Sequence, residues 1–126
     1  MKEKISKIMQ TKVKLTEYPV DKFNGALEKS LIALKLAKDL GVADGLLTIE
    51  IMEILNKKLR VRKIPSLSVM GNAMKRAEKK GYVISVSVES GLKRQRKYEL
   101  SDDGEKYLQT EIKLTDQKND KTKRSN

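Results

Sequence analysis

A single chain of 126 residues with a net charge of +11 has room for one domain and carries a large excess of positive charge. The sequence contains no Cys and no His, which excludes disulfides, thiol nucleophiles, imidazole bases and His/Cys metal sites. We therefore expect no catalytic residues, no metal and no cofactor. The N-terminus lacks the apolar core of a signal peptide, and no apolar run approaches the roughly 20 residues that span a bilayer. These features predict a cytoplasmic protein without a membrane partner.

The first part of the chain predicts two helices. Residues 1–20 form a basic N-terminal segment whose apolar residues are spaced to line a short helix: Ile5, Ile8 and Met9. Asp21 is a good N-cap for a longer helix that runs to Leu40 and ends at Gly41. We take residues 21–114 as one domain and predict that the polar tail, 115–126, is disordered.

The middle of the chain predicts two further helices joined by a basic turn. Thr48 is expected to cap a helix of about ten residues. The turn runs from Arg60 to Pro65. Ser66 is expected to cap the next helix, residues 67–80, and Gly81 to end it.

The last part predicts two strands and a helix. Residues 82–89 alternate in polarity, with Tyr82, Ile84, Val86 and Val88 on one side. A loop follows, and residues 96–100 return as a strand with Tyr98 and Leu100 inward. Ser101 is expected to cap the final helix, whose first turn holds carboxylates where the helix dipole favours them.

This order of elements, and two sequence motifs, resemble the winged helix-turn-helix repressors of the MarR, PadR and ArsR types. The motifs are Lys80-Gly81-Tyr82-Val83 and the stretch Tyr98-Glu99-Leu100-Ser101-Asp102-Asp103-Gly104-Glu105-Lys106-Tyr107-Leu108. The resemblance covers roughly residues 22–112. It implies an α+β fold that is mostly α, with a β-hairpin wing and flanking helices. It also implies that helix 67–80 is a recognition helix and that residues 89–97 form the wing.

The positive charge is concentrated where those two elements lie. Residues 57–97 contain thirteen Lys and Arg residues and two acids, whereas the basic and acidic residues of the rest of the chain cancel. A charge concentrated in this way is typical of a polyanion-binding surface.

The recognition helix has a polar, cationic outer side. On a helical wheel this side holds Ser68, Asn72, Lys75 and Lys79, with Arg76 on its flank. Lys and Arg can donate to phosphates and to guanine, Asn can pair with adenine, and the small Ser and the neighbouring Gly71 allow close approach to a groove. The alternative is an ordinary solvated face, but such faces usually mix both signs of charge.

Two further basic clusters complete the predicted DNA-binding set. The wing contributes Lys93, Arg94, Arg96 and Lys97, and the turn contributes Arg60, Arg62 and Lys63. Wing cations can lie along the phosphate backbone or enter the minor groove, although cations on an edge strand also guard against aggregation. Lys57 and Lys58 could equally be charges that complement the end of a helix.

We interpret the sequence as a sequence-specific double-stranded DNA-binding protein, a nucleoid-associated transcriptional regulator without a small-molecule ligand. An architectural or partition protein with little sequence choice is one alternative. An RNA-binding or ribosome-associated winged helix is another, and a protein-interaction winged helix is a third, which the concentrated charge disfavours.

The apolar residues also predict a homodimer. The helix that follows Asp21 has apolar side chains on two opposite sides, and only one side is needed for packing against the next two helices. The last helix also has more apolar side chains than packing against the wing requires. The predicted interface comprises Ile32, Leu36, Leu40, Tyr107, Leu108 and Ile112. The alternative is that residues 1–20 cover the first three.

Overall fold

The fold is given by a computed structural model that describes residues 2–42, 45–90 and 93–124, and the side chains at 6–42, 45–88 and 95–113. The elements in chain order are α1 (Lys2–Gln10), α2 (Ala26–Asp39), β1 (Leu46–Leu47), α3 (Thr48–Glu53), α4 (Leu67–Lys79), β2 (Val83–Ser90), β3 (Lys93–Leu100) and α5 (Asp102–Arg124). Two 3-10 turns, Leu15–Glu17 and Val20–Lys22, precede α2, and a π-helical turn, Ile54–Lys58, extends α3. The predicted α+β fold, mostly α with a hairpin wing and flanking helices, is confirmed. Among the described residues, no helix combines the length and apolar character that a membrane crossing requires.

The three strands form one antiparallel sheet in the order β1-β3-β2. Leu46 in β1 lies opposite Tyr98 in β3, and Val83 in β2 lies opposite Leu100. These four side chains are buried, since they face the helices. β2 is an edge strand, and its apolar side faces solvent instead: Ile84 and Val86 are 55% and 58% exposed.

Helix α2 lies at the centre of the core and contacts α3, α4, α5 and β3. Ten of its fourteen residues are buried, so both of its apolar sides have partners within the same chain. Ile32 and Leu36 have no exposed surface, and neither does Leu108 of α5. The prediction that these three side chains lie in a dimer interface is therefore wrong.

The N-terminal segment also contributes to the core. Ile8, Tyr18 and Val20 belong to the same buried cluster as α2. The Tyr18 hydroxyl donates a 2.6 Å hydrogen bond to Asp39 at the end of α2. Burial, and then this bond to a carboxylate, raise the pKa of Tyr18 well above its ordinary value, which keeps the phenol protonated as a donor. The ammonium group of Lys58 also fastens the segment, because it donates to the carbonyl oxygens of Met9, at 3.1 Å, and of Thr11.

The helix starts agree only partly with the predicted caps. Ser66 and Ser101 are confirmed as N-caps: their hydroxyl oxygens accept from the N–H groups of Val69 at 3.2 Å and Gly104 at 3.0 Å. The prediction for Asp21 is wrong, since α2 begins at Ala26 behind Gly25.

Two other boundaries differ from the sequence prediction. Thr48 is the first residue of α3, and Leu47 occupies the N-cap because β1 holds it against β3. The Glu50 carboxylate accepts from the Leu47 N–H at 2.8 Å and so takes over the capping role. Helix α5 continues to Arg124, through most of the predicted disordered tail, where Lys and Gln are residues that favour helix.

We expect opposite effects on stability from alanine at two glycines. A Cβ at Gly104 would overlap the Tyr82 carbonyl oxygen, so Gly104→Ala should lower the free energy of unfolding by at least about 1–3 kcal/mol. At Gly71, in the middle of α4, a Cβ meets no atom within 4 Å. Gly71→Ala should therefore raise the free energy of unfolding by about 0.5–1 kcal/mol. Urea titration of the three proteins measures both changes, and a Gly104→Ala protein as stable as the wild type would contradict the close packing of Gly104 against Tyr82.

Candidate nucleic-acid interface

Helix α4 turns one apolar face to the core and one polar face to solvent. The buried face consists of Met70, Ala73, Met74 and Ala77. The opposite side holds Ser68, Asn72, Lys75 and Lys79, all exposed. The Ser66 cap starts the helix and Gly81, at φ 79°, ends it in the left-handed conformation that glycine adopts without strain. The row predicted from the helical wheel is thus accessible along the whole helix.

The first turn of α4 departs from this two-sided pattern. On the wheel Leu67 falls with the buried residues, yet its side chain is 54% exposed. Leu67 begins the helix, where neighbouring elements no longer enclose it, and it lines an open cleft of about 510 Å³ between the starts of α3 and α4 and strand β3. Ile49, Gly71 and Arg96 lie in the same cleft. The cleft therefore lies between α4 and the wing strand β3.

Arg76 is exposed but lies apart from the outer row. It lines a second cleft, of about 240 Å³, together with Glu28, Lys80 and two tyrosines. The rings of those tyrosines, Tyr82 and Tyr107, stack with their centres 4.3 Å apart. Burial, with the charge of Glu28 as the next cause, raises the pKa of Tyr107 to about 12. Arg76 thus faces the side of α4 that is turned towards α2 and α5, at the edge of the candidate interface.

The basic turn before α4 is held by two contacts to its backbone. The Asp21 carboxylate accepts from the N–H of Arg62 at 3.0 Å, which explains why it does not cap α2. The ammonium group of Lys29, whose residue is 7% exposed, donates to the carbonyl oxygen of Lys63 at 3.3 Å.

These contacts leave the side chains of the turn free to face solvent. Arg60, Arg62 and Lys63 are all exposed. Arg60 has φ 50°, a left-handed conformation that costs a non-glycine residue about 1–2 kcal/mol. The sequence does not decide whether Lys57 and Lys58 belong to the DNA-binding set. In the structure Lys58 binds the N-terminal segment, and Lys57 pairs with Glu53 at 3.2 Å.

The wing strand is tied to α4 by one carboxylate. Glu78 accepts from the guanidinium group of Arg96 at 3.3 Å and from the hydroxyl of Ser85. Arg96 therefore lies beside α4, with 54% of its side chain exposed. Lys97, the next residue, points to the opposite face of the sheet, because successive side chains of a strand alternate. Lys93 and Arg94 begin β3, but their side chains lie outside the described residues, as do Gly91 and Leu92.

Sequence reasoning missed the part that Glu78 plays. In sequence it is an isolated acid within a basic helix, and nothing local indicates its partners. Ser87 lies opposite Arg96 in the hairpin, and Ser85 lies two positions before Ser87. Ser85 and Arg96 therefore project from the same face of the sheet, where both reach Glu78. Only the sheet register brings the two side chains to one carboxylate.

Comparison with known proteins supports the fold. A solved structure of a transcriptional regulator from Clostridium thermocellum superposes on this chain with a TM-score of 0.61 and 22% sequence identity. The match covers 75% of this chain and 89% of that one. No protein-family model matches the sequence, and a search of curated proteins gives no match either. The likeness therefore establishes a shared fold.

We expect Glu78→Gln to strengthen binding to any DNA duplex. The substitution removes a negative charge from the candidate interface and releases Arg96 to a phosphate. Glu78 repels DNA phosphates, and salt screens this repulsion. Its removal should therefore raise the affinity roughly threefold to tenfold. Fluorescence anisotropy with a labelled random duplex measures the change.

The matched control is Glu17→Gln, which makes the same charge change at an exposed residue of the N-terminal segment. Its affinity should stay within about twofold of the wild type, since Glu17 belongs neither to α4 nor to the wing strand and exposed charges are screened by salt. Weaker binding by Glu78→Gln, with an unchanged melting temperature, would mean that Glu78 holds Arg96 in its binding position rather than competing for it.

Proposed function

We propose that the protein is a transcriptional regulator that binds double-stranded DNA in a sequence-specific manner. The observation that carries the proposal is the exposed row of α4, which has the basic turn at its start and Arg96 of the wing strand at its side. The similar solved structure is described as a transcriptional regulator, which supports the same function. We further propose that the protein works in the cytoplasm on the nucleoid.

Each part of the interface has its own task in this proposal. Asn72 reads a base, because its amide can pair with both polar groups of adenine in the major groove. Lys75 and Lys79 bind guanine or phosphate from the second half of the helix. Phosphates are also bound by the basic turn, by Arg76 at the edge, and by the wing residues Lys93, Arg94, Arg96 and Lys97.

We expect Asn72→Ala to separate sequence reading from general DNA binding. On a duplex enriched from a random pool, the variant should lose about 1–3 kcal/mol of binding free energy, which is the value of a good bidentate base contact. On random duplex the loss should be small, because phosphate contacts dominate there. Gel shifts at two salt concentrations, with enriched duplex, random duplex and duplex RNA, measure both terms.

Asn56→Ala is the matched control, since Asn56 is an exposed asparagine on the π-helical turn. It should bind both DNA probes like the wild type. Equal losses of Asn72→Ala on the two DNA probes would contradict sequence reading and favour an architectural protein. Tighter binding to duplex RNA than to either DNA would contradict a DNA regulator.

We also propose that the regulator acts as a homodimer. A two-fold dimer would place two recognition helices one DNA turn apart, as a palindromic site requires. Three residues of the predicted interface keep accessible surface: Leu40, Tyr107 and Ile112. Two of them lie on α5, so we place the contact on that helix.

Sedimentation equilibrium at micromolar concentration tests the dimer. Ile112→Glu should shift the protein towards the monomer, because it puts a charge into an apolar contact. Leu15→Glu, at an apolar residue that is 47% exposed on the N-terminal segment, should leave the association unchanged. A wild type that is monomeric at this concentration would contradict the dimer and the expectation of palindromic sites.

A further inference from the structure

The two halves of α4 differ sharply in chemistry. Residues 67–74 carry no charge, and every charged residue of the helix lies from Lys75 onwards. The first half nevertheless exposes two large apolar side chains, Leu67 at 54% and Val69 at 48%. Exposed aliphatic groups of this size forgo burial, so a partner that covers them would be bound more tightly.

Leu67 and Val69 stand on either side of Ser68, each one helical step of about 100° away from it. They therefore flank the outer row at the end of the helix that enters a groove first in helix-turn-helix proteins. Each also has a cation beside it. Leu67 shares its cleft with Arg96, and Val69 shares another, of about 410 Å³, with Lys63.

This combination fits one kind of partner better than an apolar protein surface. Lys63 and Arg96 are both exposed, so a protein partner would need acidic groups beside its apolar patch to match those cations. Duplex DNA offers phosphates for them and, on its base edges in the major groove, one apolar group, the 5-methyl of thymine. The apolar side chains match the methyl group in polarity, and the cations match the phosphates in charge.

We propose that Leu67 and Val69 read the 5-methyl groups of thymines next to the base bound by Asn72. The preferred DNA sites would then carry thymine at those flanking positions. The inference rests on the proposed function, because it assigns a base preference to the same recognition helix.

The outer face of β2 provides the matched control. Ile84 and Val86 are as exposed as Leu67 and Val69. They point away from α4, because the intervening Ser85 faces Glu78 of that helix. Replacing them by Ala removes similar apolar surface without touching the proposed contact.

The test compares the duplex enriched from a random pool with the same duplex in which deoxyuridine replaces every thymine. This exchange removes the methyl groups and keeps the pairing. The wild type should bind the uracil duplex about fourfold more weakly for each methyl group it buries. Leu67→Ala/Val69→Ala should bind both duplexes alike, whereas Ile84→Ala/Val86→Ala should discriminate like the wild type.

The outcomes separate this inference from the proposed function. Tight, salt-dependent binding with equal affinity for thymine and uracil duplexes would overturn the thymine contact and leave the DNA regulator in place. Discrimination that persists in Leu67→Ala/Val69→Ala would also overturn it, since other groups would then sense the methyls. Absence of binding to every duplex, even at low salt, would overturn both.

Discussion

The position of the wing depends on one small junction where four elements meet. The Ser101 hydroxyl donates to the Gly81 carbonyl oxygen at 2.6 Å and accepts from the Gly104 N–H at 3.0 Å. The Ser101 N–H donates to the Tyr82 carbonyl oxygen, also at 3.0 Å. One residue thus joins the end of α4, the start of β2, the end of β3 and the start of α5. Because the hairpin leaves and returns at this point, its direction relative to α4 is set here.

The basic residues divide into two groups with different physical roles. Lys29 and Lys58 use their ammonium groups on backbone carbonyls, and these bonds fix the basic turn and the N-terminal segment. The cations of the outer row of α4 and of the turn point to solvent. Carboxylates take part in the same arrangement: Asp21 fixes the turn and Glu78 fixes the wing strand. The net charge alone does not distinguish cations that hold the backbone in place from cations that are exposed to solvent.

Sequence reasoning succeeded where the signals are local. Helix α4 was predictable because a capping serine, a 3.6-residue repeat and a terminal glycine all agree within residues 66–81. It failed where distant segments compete for a group. Asp21 has the chemistry of a cap, but the backbone of Arg62 takes its carboxylate. Ile32 and Leu36 are buried because α2 packs against several distant elements, and the partners of Glu78 depend on strand register. No local pattern shows either arrangement.

The exposed edge strand β2 makes the tendency of the protein to self-associate depend on its charge. Among the eight residues of β2 only Glu89 is charged, so the strand has neither lysine nor proline to block pairing with a strand of another molecule. Mutual repulsion between copies, each with a net charge of +11, opposes such self-association. Added salt shortens the range of this repulsion to about 8 Å at physiological ionic strength and to about 3 Å at 1 M. High salt therefore weakens a repulsion that keeps the edge strands of separate molecules apart.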